Sequence, residues 1–360
     1  MLFKKNRYLP LSFTKIKKIF VIRTDGLGDI VMSTPIFKAL RDIFPYSHIT
    51  LLSASWSKYL VEAMPTFDEI IYFDVPWIVK GNKILFKGLY QTIIKLRNKN
   101  IDLAIDLRGD FRNNILMILC GAKYRVGFGI TGCDFLLTHI ATCYENHHPA
   151  NMGQSLIDYI NPENKEKYKM SLWVTEEAKK FVVEFLNQNR INYSSNDNLI
   201  VIIHPAARWY GREWTIEGYA EIADKLIKEY NAKVIFTGSP DEIELTESIA
   251  NLMKYKPIIA TGKTSLQQLL ALLERSNLFI GVDSGPMHMA TAMGNKVIAL
   301  FGAARPEAVG PYGDGHIVVT KQNEFPCSPC AQSVCKRSND NCMKAITVEE
   351  VWNAIEKQVK

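Results

Sequence analysis

The chain has 360 residues, too many for one small domain and enough for two domains of ordinary size. Its 47% hydrophobic and 22% charged residues exclude an intrinsically disordered or collagen-like protein. No run of 18 apolar residues occurs, and the N-terminus lacks the apolar stretch of a secretory signal. We therefore expect a cytoplasmic protein without a membrane-spanning helix.

The formal net charge of +6 comes from the first 18 residues, because 37 basic and 37 acidic residues follow them. This basic leader also carries apolar side chains. It is either a segment that lies on anionic lipid headgroups or a solvated tail. The remaining chain has no basic stripe with interleaved aromatic residues, so nucleic-acid binding is not expected. The leader's basic residues are Lys4, Lys5, Arg7, Lys15, Lys17 and Lys18.

Strands and helices alternate through the first half of the chain, with a Gly-rich loop after the first strand. This alternation predicts a parallel, doubly wound α/β sheet. The predicted strands are 19–22, 49–52, 69–73 and 103–107, and the predicted helices are 30–44, 57–64, 83–99 and 113–119.

A polar, turn-rich stretch at 187–198 precedes a second cycle of the same kind, so the domain boundary is expected between residues 165 and 198. The predicted strands are 199–203, 233–236, 278–282 and 296–301, and the predicted helices are 216–230, 266–275, 287–293 and 347–360. We expect two Rossmann-like domains that face each other across a cleft, 1–180 and 181–346. The helix 347–360 is free to cross back to the first domain.

The loop after the first strand is the first candidate site. Its sequence, Asp25-Gly26-Leu27-Gly28-Asp29, leads into a helix N-terminus, where backbone N–H groups and the helix dipole favour an anion or a close approach by substrate. A dinucleotide fingerprint needs a third glycine, but that position is Val31. Asp29 is therefore either a catalytic acid at the strand end or, like Asp25, a helix cap.

Two loops of the second half are further candidates. The loop from His204 to Trp214 contains Arg208 and Arg212, whose guanidinium groups suit a phosphate, although arginines are also common on ordinary surface loops. The turn Asp283-Ser284-Gly285 offers side chains and a helix N-terminus to a nucleotide or sugar. His288, one turn into that helix, is equally compatible with a structural role.

Several motifs, spaced in order along the chain, make a resemblance specific. They are Asp25–Asp29 with Ser33-Thr34-Pro35, Asp106–Gly109 with Gly121-Ala122-Lys123 and Arg125–Phe128, the His204–Trp214 loop, and Gly281–Ala290 followed by Leu300-Phe301-Gly302. From about Lys18 to the last helix, the chain resembles glycosyltransferase family 9, which contains the ADP-heptose:lipopolysaccharide heptosyltransferases.

The resemblance implies a GT-B fold, an N-terminal acceptor domain, a C-terminal donor domain and a metal-independent, inverting transfer from an ADP-activated sugar. Asp29 matches the family's catalytic acidic residue, which takes the proton from the acceptor hydroxyl. Arg212 falls where relatives carry a basic residue that compensates the charge of the diphosphate leaving group. Asp283, Ser284 and Gly285 match the donor-binding turn. Either Glu242 or its neighbour Asp241 matches the position that holds the ribose.

One departure from the family concerns the residues after the strand that ends at His204. Some members have hydroxyl side chains there, whereas this chain has Ala206 and Ala207. Any phosphate contact at these two positions must therefore come from backbone N–H groups.

The chain has seven cysteines, and four of them form a late C-x2-C-x4-C-x6-C cluster. An odd number without a secretory context disfavours a disulfide framework. Four thiolates could hold a structural Zn²⁺, but the spacing differs from paired C-x2-C knuckles, so reduced thiols or a redox-formed bridge stay open. The clustered cysteines are Cys327, Cys330, Cys335 and Cys342.

The leading functional hypothesis is a heptosyltransferase that uses ADP-heptose and a lipid-anchored acceptor, the heptose or Kdo region of a lipopolysaccharide inner core. It would act in the cytoplasm, peripherally on the inner face of the membrane, and need no cofactor. A related transferase with another donor or acceptor, a non-catalytic nucleotide-sugar-binding protein and a nucleotide-dependent oxidoreductase are the alternatives.

Overall fold

The computed structural model describes residues 15–78, 84–142, 148–163, 165–191, 199–207, 210–330, 335–337 and 340–359, with the backbone alone at 84–86 and Tyr210. Most of the basic leader, Cys143 and Arg208 lie outside these residues. The chain divides into two compact units, 1–171 and 172–360. Among the described helices, none is both long and apolar enough to span a membrane.

The first unit is built on a parallel six-stranded sheet of order β3-β2-β1-β4-β5-β6. Its strands are β1 (Lys18–Arg23), β2 (His48–Ser53), β3 (Glu69–Tyr72), β4 (Leu103–Asp106), β5 (Tyr124–Gly127) and β6 (His139–Ile140). Its helices are α1 (Leu27–Met32), α2 (Thr34–Ile43), α3 (Lys58–Val61), α4 (Ile84–Arg97), α5 (Phe111–Leu119) and α6 (Pro149–Ile160).

The second unit repeats this plan with the order β12-β11-β10-β7-β8-β9. Its strands are β7 (Ile200–His204), β8 (Lys233–Phe236), β9 (Ile258–Ile259), β10 (Leu278–Val282), β11 (Lys296–Phe301) and β12 (Ile317–Thr320). Its helices are α7 (Glu176–Gln188), α8 (Ile216–Tyr230), α9 (Ile243–Leu252), α10 (Leu266–Glu274), α11 (Gly285–Ala292), α12 (Pro306–Val309) and α13 (Val348–Val359).

These sheets confirm the expected α/β class, and the central strands explain why their sequences are apolar throughout. Every residue of β4, β7 and β10 is buried, since helices cover both faces of a parallel sheet. In each unit the chain reverses its direction of winding between two adjacent central strands, β1 and β4 or β7 and β10. Open α/β sheets bind ligands at the carboxyl ends of such a pair.

The single helix predicted over 30–44 is wrong, because the structure breaks it at Ser33 into α1 and α2. Pro35 lies in the first turn of α2 and has no N–H to donate to the preceding turn. The Ser33 hydroxyl caps α1 instead by donating to the carbonyl of Asp29 at 2.8 Å. The break makes α1 a short helix that ends one turn after the candidate loop.

The last helix, α13, packs in the second unit. Its residues Val351, Trp352 and Ile355 belong to the cluster that also holds the buried residues of β7 and β10. Thr347 and Glu350 cap it reciprocally, as expected, with the Thr347 N–H donating to the Glu350 carboxylate at 3.0 Å. The apolar face of α13 is therefore buried against the core of the second unit.

Candidate functional site

The first unit brings a network of charged side chains to the carboxyl ends of β1 and β4. Arg23, the last residue of β1, is only 3% exposed and donates to the carboxylate of Asp29 at 3.1 Å and to the carbonyl of Leu107 at 2.9 Å. Register pairs Ile22 with Asp106, so the loops after both strands meet here. Arg23 therefore ties the loop after β1 to the loop after β4.

Asp29 is the accessible carboxylate of this network. Its side chain is 35% exposed, against 13% for Asp25. One carboxylate oxygen accepts from Arg23, and the other accepts from the Gly26 N–H at 3.0 Å. Asp29 thus acts as a cap at the start of α1 and still presents a carboxylate to solvent, so the two interpretations left open by the sequence are compatible.

The glycines of this loop let the backbone approach that carboxylate. A Cβ at Gly26 would lie 3.3 Å from the Asp29 oxygen that its N–H contacts, which is tighter than an ordinary contact. Gly28 lies in the first turn of α1, next to Asp29. The glycine at 26 therefore permits the short contact between its N–H and the Asp29 carboxylate.

Asp25 lies deeper and between two arginines. Its carboxylate oxygens are 3.7 Å from Arg23 and 3.7 Å from Arg108, and its carbonyl accepts from the Trp56 indole at 2.8 Å. Burial raises the pKa of Asp25, while the charges of both arginines oppose that shift. Asp25 is therefore a supporting carboxylate rather than the exposed one.

Sequence reasoning did not assign Arg23, Trp56 or Asp110 to this site, and it used Asp106 only within a motif of the family resemblance. Asp106, fully buried at the end of β4, accepts from the Asn113 amide at 2.8 Å and from the backbone N–H of Asp110 at 2.9 Å. Only the strand order shows that Asp106 lies at the same edge of the sheet as Arg23. A charged residue at the end of an apolar strand, as at 23 and 106, is the signal that could have found them.

Asp106 should make stability depend on pH. Burial raises its pKa to about 6, so the folded chain holds this proton more tightly than the unfolded chain. Ionising Asp106 therefore lowers the free energy of unfolding as pH rises between about 4 and 6. Between pH 7 and pH 5, we expect the free energy of unfolding of the wild type to gain about 1 kcal/mol relative to Asp106→Asn. Urea unfolding of both proteins at the two pH values measures this difference, and a constant or opposite difference would contradict the assignment.

In the second unit, the loops after β7 and β10 bring Arg212 and Asp283 together in an ion pair. Register places Gly281 beside His204, and a Cβ at Gly281 would lie 2.8 Å from the His204 carbonyl, so only glycine fits there. The two side chains of the pair are 21% and 10% exposed. A partly buried guanidinium thus stands at the carboxyl ends of the central strands.

The turn after Asp283 presents a helix N-terminus at the same edge. Ser284 is the N-cap of α11 but makes no capping hydrogen bond through its side chain. Its buried hydroxyl has no hydrogen-bond partner among the described residues. Gly285 begins α11, and His288 lies one turn later, 4% exposed. An unsatisfied buried hydroxyl is costly unless a ligand or water completes it, so Ser284 is a binding candidate.

Glu242 rather than Asp241 is engaged at the turn after β8. Its carboxylate accepts from the Ser239 N–H at 2.7 Å, whereas Asp241 is exposed. A Cβ at Gly238 would lie 2.8 Å from the same carboxylate, so the glycine leaves room for it. Burial lowers the pKa of His204, the last residue of the adjacent β7, and the negative charge of Glu242 opposes that shift.

Ala206 and Ala207, which follow Pro205 after β7, have no polar side-chain atoms, so only their backbone groups can hydrogen-bond to a ligand. The Ala207 N–H points toward the Glu213 carboxylate at 3.5 Å, a long contact that a stronger acceptor could replace. Burial, with the charge of Glu242, raises the pKa of Glu213. The Ala207 N–H could therefore donate to a ligand at the position where this chain lacks a hydroxyl side chain.

The four clustered cysteines line one small pocket together with Gly211, Ala303 and Asn341. All four are unbridged. Within the described residues, no group of three or more His, Cys, Asp or Glu side chains is arranged to hold a metal ion. Structural zinc at Cys327, Cys330, Cys335 and Cys342 stays a prediction from the sequence.

Comparison with known proteins identifies the family. Residues 90–340 match the family model of glycosyltransferase family 9 (heptosyltransferase). The lipopolysaccharide core heptosyltransferase OpsX of Haemophilus influenzae is 28% identical over 97% of this chain and 99% of its own length.

Solved structures agree with that match. A family 9 glycosyl transferase from Veillonella parvula superposes with a TM-score of 0.81, at 25% identity, over 100% of this chain and 99% of its own. The heptosyltransferase WaaC of E. coli, solved with ADP, gives 0.71 at 15% identity over 95% and 99%. These similarities confirm the GT-B class of fold and leave no support for the oxidoreductase alternative. The chain belongs to glycosyltransferase family 9, the heptosyltransferase family, and is a glycosyltransferase.

Proposed function

We propose that this enzyme transfers a heptose from ADP-heptose to the heptose or Kdo region of a lipopolysaccharide inner core, with inversion and without a metal ion. The observation that carries the proposal is Asp29, an accessible carboxylate held by Arg23 and Gly26 at the strand ends of the first unit. The names of the relatives, a lipopolysaccharide core heptosyltransferase and a heptosyltransferase with bound ADP, support the donor and the acceptor.

Asp29 would act as the general base. As the acceptor hydroxyl oxygen attacks the anomeric carbon of the heptose, its proton passes to the Asp29 carboxylate, and the bond from that carbon to the diphosphate oxygen breaks. A single displacement of this kind inverts the anomeric centre and needs no covalent intermediate. Arg23 orients the carboxylate through two contacts, one to a side-chain oxygen and one to the Asp29 carbonyl at 3.2 Å.

The second unit would bind the donor. Arg212 supplies positive charge to the departing diphosphate, and its ion pair with Asp283 holds the guanidinium in place. The N-terminus of α11, with Gly285 and the free hydroxyl of Ser284, offers further donors to the phosphates or the sugar. Glu242 is the hydrogen-bond acceptor proposed for the ribose hydroxyls. His288, buried one turn into α11, is proposed as a further donor-binding residue.

The negative charge that develops on the leaving group would thus be compensated by the Arg212 side chain and the N-terminus of α11, which is why the proposal needs no metal ion. The acceptor would be a lipid-anchored glycan, so the reaction would take place at the inner face of the cytoplasmic membrane. A family member with a different donor or acceptor, or one that binds nucleotide sugars without turnover, would share the fold, so the experiment must separate these outcomes.

A thermal-unfolding titration with ADP, UDP, GDP and ADP-heptose, followed by a turnover assay, tests the proposal. A ligand at 100 times its Kd stabilises the folded protein by about 2.7 kcal/mol. We expect stabilisation by ADP and ADP-heptose alone, and ADP release when a heptose- or Kdo-terminated acceptor is added. Stabilisation by UDP or GDP would reject the donor, and binding of ADP-heptose without turnover on either acceptor would reject the transfer.

A further inference from the structure

The first unit exposes an apolar stripe along α5. Phe111, Ile115 and Leu119 recur every four residues and are 38%, 41% and 43% exposed. Residues at this spacing lie on one side of a helix. Tyr90 and Ile94 form the same kind of pair on α4, at 66% and 41%. We call these five side chains the α4–α5 face.

The α4–α5 face is the outer side of a packed layer. Leu96 of α4 and Leu116 and Met117 of α5 point the other way, into the core cluster that also contains Phe20 of β1. The Arg97 guanidinium joins the two helix ends by donating to the Leu119 carbonyl at 3.4 Å. Both helices therefore bury one apolar side in the core and expose a second apolar side to solvent. A helix that only covers a sheet has a polar outer side, so the exposed apolar side indicates a binding surface.

Positive charge accompanies this face. Neither helix contains an acidic residue, and seven basic residues stand against three acidic ones between 84 and 123. One of the three acids, Asp106, is fully buried. Five of the seven bases are ion-paired with Glu69, Asp102, Asp25 or Asp110, so the positive charge left at the face is that of Lys87 and Arg97, both exposed on α4. An apolar surface edged by lysine and arginine complements anionic headgroups over acyl chains.

The basic leader joins the domain at the same place. Lys18, the first residue of β1, donates its ammonium to the carbonyl of Lys99, just after α4, at 2.7 Å. The Lys17 N–H donates to Asp102, whose other oxygen accepts from Lys123, just beyond α5, at 2.7 Å. Residues 1–14 carry three more bases, several apolar side chains and no acid. Lys17 and Lys18, at the described end of the leader, thus lie beside the segments that follow α4 and α5.

The other end of the stripe adjoins the candidate site. Phe111 follows Asp110, the N-cap of α5, and Arg108 lies 3.7 Å from both Asp110 and Asp25. A surface bound along α5 would therefore begin beside the charged network that contains Asp29. A substrate carried by that surface would reach the network without leaving it.

We propose that the α4–α5 face docks on an anionic phospholipid bilayer. The apolar stripe enters the headgroup–acyl boundary while Lys87 and Arg97 contact lipid phosphates. Association measured without donor or acceptor does not depend on the transferase reaction, so its failure would leave the proposed function standing.

Vesicle co-sedimentation tests this assignment with the full chain. The probe is vesicles of phosphatidylglycerol and phosphatidylcholine, compared with phosphatidylcholine alone. We expect wild-type protein to bind the anionic vesicles and the double variant Ile115→Asp, Leu119→Asp to lose at least about tenfold in partition coefficient. Replacing Lys87 and Arg97 by Gln should weaken binding as well and reduce its sensitivity to salt, because fewer charges contact lipid phosphates.

The matched control is Ile243→Asp, Leu252→Asp on α9, where the side chains are 37% and 50% exposed in the second unit. It adds the same charge, so an equal loss would reduce the effect to net charge and overturn the proposal. Unaltered binding of the α5 variant would overturn it too. A wild-type dimer that ignores vesicles and dissociates in the α5 variant would assign the face to a second copy. Circular dichroism and the unfolding midpoint verify that all variants fold.

Discussion

Replacing Asp29 by Asn is expected to lower kcat by a factor of about 10²–10⁴, the usual contribution of a general base. The amide preserves the shape of the side chain and can still accept from the Gly26 N–H, but it cannot take a proton from the acceptor. Donor binding should change little, because the residues proposed for the donor belong to the second unit. Steady-state kinetics and a calorimetric titration with ADP measure the two effects separately.

Asp158→Asn is the matched control for that experiment. Asp158 is an exposed carboxylate of the first unit that accepts from the Gln154 amide on α6 at 2.8 Å and makes none of the hydrogen bonds described for the network around Asp29. Its loss should leave kcat unchanged. Full activity of Asp29→Asn in a correctly folded protein would remove Asp29 from the mechanism and leave Asp25 as the carboxylate to examine.

Replacing Arg212 by Ala is expected to reduce kcat/KM for the donor by a factor of about 10²–10³, as for the loss of one preorganised group that stabilises transition-state charge. The diphosphate loses its proposed counter-charge, and Asp283, 10% exposed, loses its ion-pair partner. Affinity for ADP should fall as well. Kinetics with varied donor and calorimetry with ADP provide the readouts.

Two variants control the Arg212 result. Arg212→Lys restores a positive charge without the planar fork and should recover part of the activity. Arg275→Ala removes an arginine beyond the end of α10, at the amino end of β10, and should have no effect on donor binding. If Arg212→Ala kept wild-type kcat/KM and ADP affinity, the ion pair with Asp283 would be structural alone.

The elements with strong local signals were predictable. Helix α8 spans 216–230 and strands β8 and β10 span 233–236 and 278–282, as the patterns predict. Capping pairs such as Ser265 with Gln268 form as expected, because these interactions join residues three positions apart. Strands β5, β6 and β12 and helices α6 and α7 lay outside the predicted elements. These three strands have only four, two and four residues and are partly exposed, so they carry little of the continuous apolar pattern that marks a central strand.

Some residues of the candidate site could be predicted from the sequence and others could not. Asp29, Arg212, Asp283 and Ser284 were accessible from motifs because each motif is contiguous and follows an apolar strand. Arg23 appeared only as the residue after a predicted strand, and its long-range partner could not be predicted. Its contact with the Leu107 carbonyl joins positions 84 residues apart, which no local pattern encodes.

Alternation of apolar strands with amphipathic helices was sufficient for the α/β class, since each period reports which side of an element is buried. The order of the strands was not contained in those patterns, because it depends on which pairs of distant segments bury the most apolar surface and complete each other's backbone hydrogen bonds. That order makes β1 the neighbour of β4 and β7 the neighbour of β10. It thereby gathers Arg23, Asp29 and Asp106 at one edge, and Arg212 and Asp283 at another, from loops that the linear chain keeps apart.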